Sequence, residues 1–163
     1  MNERRHNAAA TVINGKIFCC GGHNGTKHLN SIECYDIVSD LWTPFCSMPG
    51  PRKGLGAVAI NTNLFIMGGW NGQEELRNVY VLDTTNKGAG WIEKSCMSLS
   101  RGAFNIAKIE DKILVFGGQS KEDTTDSVEI FDEEAWTNTI SLKTPRKYAA
   151  ITIIPMDFAK YLN

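Results

Sequence analysis

The chain has no long apolar run, almost no net charge and only three histidines, and each shortage removes a class of function. Its apolar stretches are a few residues long, far short of the ~20 that a membrane-spanning helix needs. The N-terminus, Met1-Asn2-Glu3-Arg4-Arg5-His6, has no hydrophobic signal core, so we expect neither a secretory nor a membrane address. Seventeen basic and 18 acidic side chains leave a formal charge of -1, too little to draw the chain to nucleic acid or an anionic membrane. Neither is an expected partner. The five cysteines, Cys19, Cys20, Cys34, Cys46 and Cys96, form no CxxC pair and no Cys/His ligand spacing. His6, His23 and His28 are too few and too local for a repeated metal site, and no Ser-His-Asp order or nucleophile elbow occurs. We therefore expect no catalytic residue, no metal and no cofactor.

What the chain does have is a skeleton repeated three times. Arg5, Gly21-Gly22, Asp36 and Trp42 recur as Arg52, Gly68-Gly69, Asp83 and Trp91, then as Arg101, Gly117-Gly118, Asp132 and Trp136. Arg146 opens a fourth copy that never reaches a Gly pair. The arginines lie 47, 49 and 45 residues apart, and a unit of that size cannot bury its own apolar faces. An array is required.

Each copy reads as four strands, named a to d here. Strand a is rich in small and branched residues, as in Ala8–Ile13, Leu55–Ile60, Phe104–Ile109 and Ala149–Ile154, which suits a crowded position near an axis. A two-residue turn follows, and at Asn14-Gly15 it has the residues of a type I′ hairpin. Strand b is continuously apolar over Ile17–Cys20, Leu64–Met67 and Ile113–Phe116, a pattern expected of a strand covered on both faces. Strand c alternates over Ile32–Asp36, Val79–Asp83 and Val128–Asp132, and its closing Asp suits a turn. Strand d carries the Trp, read as filler between one sheet and the next. Cys19, Cys20 and Cys34 stand where other copies have Ile66, Met67 and Val81, so they are expected to be buried small hydrophobes in a reducing cytoplasm.

From Arg to the second Gly is always 17 residues, from that Gly to Asp 14 and from Trp to the next Arg 10. Only Asp to Trp varies, as 6, 8 and 4, so length changes are confined to the c–d turn. In an antiparallel meander the a–b and c–d turns share one end. The b–c loops and d-to-a connections share the other.

This skeleton resembles the kelch repeat over residues 4 to about 154. The resemblance implies an all-β kelch propeller with three four-stranded antiparallel blades, at about 4–50, 51–99 and 100–144. The first strand of a fourth blade would lie within about 145–163, and the whole of 1–163 would be one domain. Propellers have four to eight blades, so three blades imply a piece of a longer propeller, a truncated product or a half-ring. Two copies would make a six-bladed ring, and open blade edges imply self-association. The kelch-like ubiquitin-ligase adaptors are the most similar branch, but Arg5 already opens strand a, leaving no room for a BTB or BACK region in the sequence given.

The resemblance also implies a partner-binding rim built from the b–c loops and the residues after each repeat Arg. Carried over by column, the rim is His23, Trp70 and Gln119 after the Gly pairs, then His6, Asn7, Lys53, Lys147 and Tyr148 after the arginines. His28 and Glu75 form a third loop column. Their mixture of aromatic, basic and polar groups suits a protein segment as partner. Trp70 could instead fold over its Gly pair, and Lys121-Glu122-Asp123 reads as a solvated loop tip. The repeated arginines are expected to bond backbone carbonyls between blades. The expected role is a noncatalytic interaction module, as part of a cullin-RING substrate receptor or as an actin-associated scaffold. The competing class is a kelch-fold enzyme with an axial metal or sugar site, but the Glu33/Glu129 pair recurs in strand c, away from such a cleft.

Overall fold

The computed structural model describes residues 1–121 and 123–151. Three four-stranded antiparallel sheets follow one another along the chain. The first is β1 (Ala9–Ile13), β2 (Lys16–Cys20), β3 (Ser31–Asp36) and β4 (Leu41–Ser47). The second is β5 (Gly56–Ile60), β6 (Asn63–Met67), β7 (Val79–Asp83) and β8 (Ile92–Lys94). The third is β9 (Asn105–Ile109), β10 (Lys112–Phe116), β13 (Val128–Phe131) and β14 (Trp136–Asn138), with a small ribbon of β11 (Gln119–Ser120) and β12 (Asp123–Thr124) between its strands. Sequence reading missed this ribbon; Glu122 of the expected loop tip lies outside the described residues. The fourth copy's strand, expected to begin at Ala149, is not formed at 149–151. Its remainder and the Pro155-Met156 turn lie outside the described residues.

Local chemistry explains the turns. Asn14 and Gly15 both have positive φ, 49° and 73°, as a type I′ turn requires. In the second and third sheets only the first turn residue does so, Asn61 at 54° and Glu110 at 54°. Each closing Asp caps its c–d turn: Asp36 accepts from the Val38 and Ser39 amides, Asp83 from Thr85, and Asp132 from Glu134 and Ala135. The Thr84 amide donates to Thr62 O at 3.1 Å and Lys16 pairs with Asp36 at 2.9 Å, so a–b and c–d turns do share an end. The longest c–d turn, in the second sheet, contains a 3-10 turn at Lys87–Ala89. Among the described residues no helix is long and apolar enough to cross a membrane.

Two cores lie between the sheets. One joins Phe18, Cys20 and Ile32 to Leu55, Ala57, Leu64 and Ile66; the other joins Val58, Phe65 and Met67 to Ile113, Val115 and Phe131. The apolar run of β6 thus divides by strand alternation, Leu64 and Ile66 facing the first sheet, Phe65 and Met67 the third. Coverage on both faces holds for β6 but not for β10. There Ile113 and Val115 are buried while Leu114 and Phe116 are only half-buried, because no described sheet packs on that flank. Cys19, Cys20 and Cys34 are buried and unbridged as expected, and burial raises each thiol's pKa; Cys46 and Cys96 are half-buried.

The tryptophans close one sheet on the one before it. Trp91 Nε1 donates to Ser47 O and Trp136 Nε1 to Ser95 O, each at 2.8 Å. Trp91 directly precedes β8 rather than lying in it. Trp42 has no earlier sheet to meet and packs on Tyr35, ring centroids 5.1 Å apart.

Candidate functional site

The repeat arginine connects each sheet to the next. The Arg52 amide donates to Leu29 O and its carbonyl accepts from Gly22, while its side chain donates to Gly68 O in the second sheet. Arg101 does the same with Leu76, Gly69 and Gly117. The Gly pair must be Gly for this docking. A Cβ on Gly21 would lie 2.6 Å from Arg52 O, and one on Gly68 2.6 Å from Arg101 O. The arginine side chains do bond carbonyls, but those of the sheet that follows them in their own copy; the link to the preceding sheet is made by the backbone of Arg52 and Arg101.

Two of these arginines are also neutralised by a buried carboxylate. Arg5 Nη2 pairs with Glu33 at 2.5 Å, and Arg101 Nη2 with Glu129. Glu33 also accepts from the Asn2 and Glu3 amides, and Glu129 from Ser98 and Leu99. Burial alone would push the Glu33 carboxyl up, but the Asn2 amide, the Arg5 side chain and the Glu3 amide outweigh it and hold it below its ordinary value. The Glu33/Glu129 column is thus structural in the two sheets that carry it.

Just past each arginine the chain turns sharply. Asn7, Gly54, Ala103 and Tyr148 occupy one column and all have positive φ, between 52° and 61°. The Gly54 amide donates to Asn7 O at 2.7 Å, Ala103 to Gly54 O at 2.8 Å and Tyr148 to Ala103 O at 3.0 Å. This relay crosses all four repeat copies. Holding three non-glycine residues in the left-handed region costs about 1 kcal/mol or more each, which the relay and the adjoining bridges offset.

Those bridges bring the predicted rim residues together. His6 pairs with His23, Lys53 with Trp70 and Gly102 with Gln119, joining each d-to-a connection to its b–c loop. Across the loops, His23 pairs with His28 and Trp70 with Glu75; the third copy's counterpart is Gln119 with Thr124. Asn7, Lys53, Trp70, Glu75, Gln119 and Tyr148 converge on one cavity of about 240 Å³, with Gly54, Gly102 and Ala103 as its backbone wall. Trp70 is half-buried there. Lys147 stands beside the cavity, its Nζ donating to Gln119 Oε1 at 2.7 Å.

His6, His23 and His28 are not in that cavity. Their rings pack in series, His23 tilted against His6 and edge-to-face with His28, with centroids 5.2 and 4.9 Å apart. Burial, Lys53 and His23 all lower the His28 pKa and favour its neutral form. Among the described residues no group of three or more His, Cys, Asp or Glu side chains could hold a metal ion. Thr124 and Gly54 were not among the expected rim residues, and Gly102-Ala103, in the rim column after Arg101, offer little side chain. Column alignment with His28 and Glu75 would have found Thr124. The wall contributes through backbone and has no side-chain signal.

Comparison with known proteins gives the same architecture. The sequence model of the Kelch motif matches residues 4–49, 51–87 and 100–139. Alpha-scruin of Limulus polyphemus is 28% identical over 169 residues, an alignment covering 94% of this chain and 18% of that protein. The influenza virus NS1A-binding protein homolog of Xenopus laevis is 36% identical over 52 residues, covering 32% of this chain and 8% of that one. Kelch-like protein 38 of Danio rerio is 43% identical over 54 residues, with coverages of 30% and 9%. This chain thus spans less than a fifth of the length of each of these relatives. The solved structure of YjhT superposes with a TM-score of 0.77 at 15% identity, covering 88% of this chain and 54% of that one, a likeness of fold.

Proposed function

The chain belongs to the kelch-repeat family, and from that premise we propose that it is a noncatalytic protein-interaction module that takes a partner's segment on the face formed by its b–c loops and d-to-a connections. The observation that carries this reading is the cavity where Lys53, Trp70, Glu75, Gln119 and Tyr148 meet. Trp70 and Tyr148 offer aromatic area at low entropic cost, while Lys53 and Glu75 carry opposite charges that orient a polar segment. His6, Asn7, His23, His28 and Lys147 extend the same rim. Within the family, the finer role is substrate recognition for a cullin-RING ubiquitin ligase in the cytoplasm.

Affinity capture from cell extract with wild type, Trp70→Ala and Tyr148→Ala tests this role. A shared set of partners, including ligase components and a substrate, should be lost from both variants while their thermal stability is kept. Capture of filamentous actin alone would replace the ligase role with the scaffold role, and full retention by both variants would remove the rim.

The outer flanks fit a second copy of this chain. Val12 in the first sheet and Ile109 in the third are 58% and 49% exposed. The relay ends in an Asn7 amide and a Tyr148 carbonyl without partners among the described residues, a donor at one end and an acceptor at the other. Sedimentation equilibrium of the 18.0 kDa chain should then show a dimer, and a monomer at micromolar concentration would end that proposal.

A further inference from the structure

Arg52 occupies the same column as Arg5 and Arg101 but lacks their carboxylate. It is 3% exposed, and among the described residues its side chain makes two hydrogen bonds within 3.5 Å, Nη1 to Gly68 O at 3.3 Å and Nη2 to Pro49 O at 2.5 Å, with the Tyr80 side chain as its further polar neighbour. Arg101 makes four, to Gly117 O, Ser127 O, Ser127 Oγ and Glu129, and Arg5 makes the equivalent four in the first sheet. The strand c position that is Glu33 and Glu129 elsewhere is Tyr80 here, and its ring lies under the Arg52 guanidinium at 5.6 Å. A guanidinium has five N–H donors; Nε has no partner among the described residues in Arg5, Arg52 and Arg101 alike, so the difference at Arg52 lies in the Nη donors that the glutamate takes up in the sister copies.

The backbone donors of the missing carboxylate also differ. In the sister copies the two amides that donate to the glutamate lie three and two residues before the arginine, as Asn2 and Glu3 or Ser98 and Leu99. In this copy they are Pro49, which has no N–H, and Gly50, whose amide has no partner among the described residues. A Cβ on Gly50 would lie 3.8 Å from Arg52 Nη2, so the amide-bearing turn is beside the cation. Pro49, Gly50, Arg52, Asn71, Asn78 and Tyr80 line an open cleft of about 610 Å³ at this point. The nearest acid on the sheet is Glu93, opposite Tyr80 on β8. It holds Asn78 Nδ2 at 2.9 Å and forms no ion pair with Arg52.

We infer that Arg52 and the Gly50 amide form a binding site for an external carboxylate, which takes the place that Glu33 and Glu129 hold in the neighbouring sheets. A buried cation without a counter-charge is costly, and a carboxylate reached by guanidinium and amide donors together recovers charge-assisted hydrogen bonds. The cleft is separate from the rim cavity and does not depend on the proposed partner. Its carboxylate can be an acidic side chain of another protein or a small free carboxylate.

Amide-resolved NMR of the full chain, titrated with acetate at constant ionic strength against chloride, tests the site. The Gly50 amide resonance should move saturably, while the Glu3 and Leu99 amides, already bonded to internal carboxylates, should not. Tyr80→Glu should supply the carboxylate internally and abolish the Gly50 response. An acetylated, amidated Gly-Glu-Gly peptide identifies the source: a response equal to acetate's assigns a protein side chain, and a response to acetate alone assigns a free carboxylate. A Gly50 shift no larger than those of Glu3 and Leu99 in wild type would overturn the site, as would an undiminished response in folded Tyr80→Glu.

Discussion

In the first and third sheets the repeat arginine closes on a buried glutamate, whereas in the second it lies over the Tyr80 ring and reaches two carbonyls. The second sheet is also the one covered on both flanks, with β5 and β6 almost entirely buried, while β1 alternates between half-buried and exposed positions and β10 between buried and half-buried ones. A unit of an array gains stability both from its own contacts and from its neighbours. The middle sheet has neighbours on both sides and tolerates an arginine without its internal carboxylate. The outer sheets rely more on theirs.

The largest effect that sharpens this contrast is expected from Glu129→Ala. It leaves the fully buried Arg101 without a counter-charge and two amides without an acceptor, for a loss of roughly 3–5 kcal/mol by urea denaturation. A loss below about 1 kcal/mol, the size expected of an exposed pair, would show that the pair is not a structural tie. Core substitutions test coverage next. Leu64→Ala in the doubly covered β6 should cost about 3 kcal/mol, and Leu114→Ala, on the uncovered flank of β10 in the column of Phe65, clearly less. Equal losses would mean that the third sheet's outer flank is covered in solution.

Acid gives the smallest effect. Glu33 has a folded pKa below its ordinary value of 4.5, so its contribution to stability is complete above that pH and is lost as pH falls through the lower folded value. Thermal unfolding of Glu33→Gln should therefore depend less on pH below 4.5 than wild type does. Identical acid profiles would remove Glu33 from the account.

The array was legible because its signals are local and repeated. Fixed spacings from Arg to Gly and from Gly to Asp mark the sheets, and Trp91 and Trp136 stand where one large side chain per copy fills the gap to the sheet before. The rim residues were legible by column, since the b–c loops keep one length. What escaped was chemistry between distant strands. Arg5 and Glu33 are 28 residues apart, and nothing at Tyr80 marks it as the residue that breaks the pairing. The left-handed turns at Ala103 and Tyr148 were equally hidden, because neither residue type favours positive φ and only the relay between sheets holds them there. The half-buried Leu114 and Phe116 of β10 misled for a similar reason: an apolar run does not say how many sheets will cover it.

The proposed interaction face is tested most directly by amide hydrogen exchange of the full chain, alone and with a captured partner. The account predicts new protection in the b–c loops and d-to-a connections, at residues 22–28, 53–54, 70–75 and 102–103. Protection confined to the c–d turns, at residues 37–40 and 84–90, would contradict it.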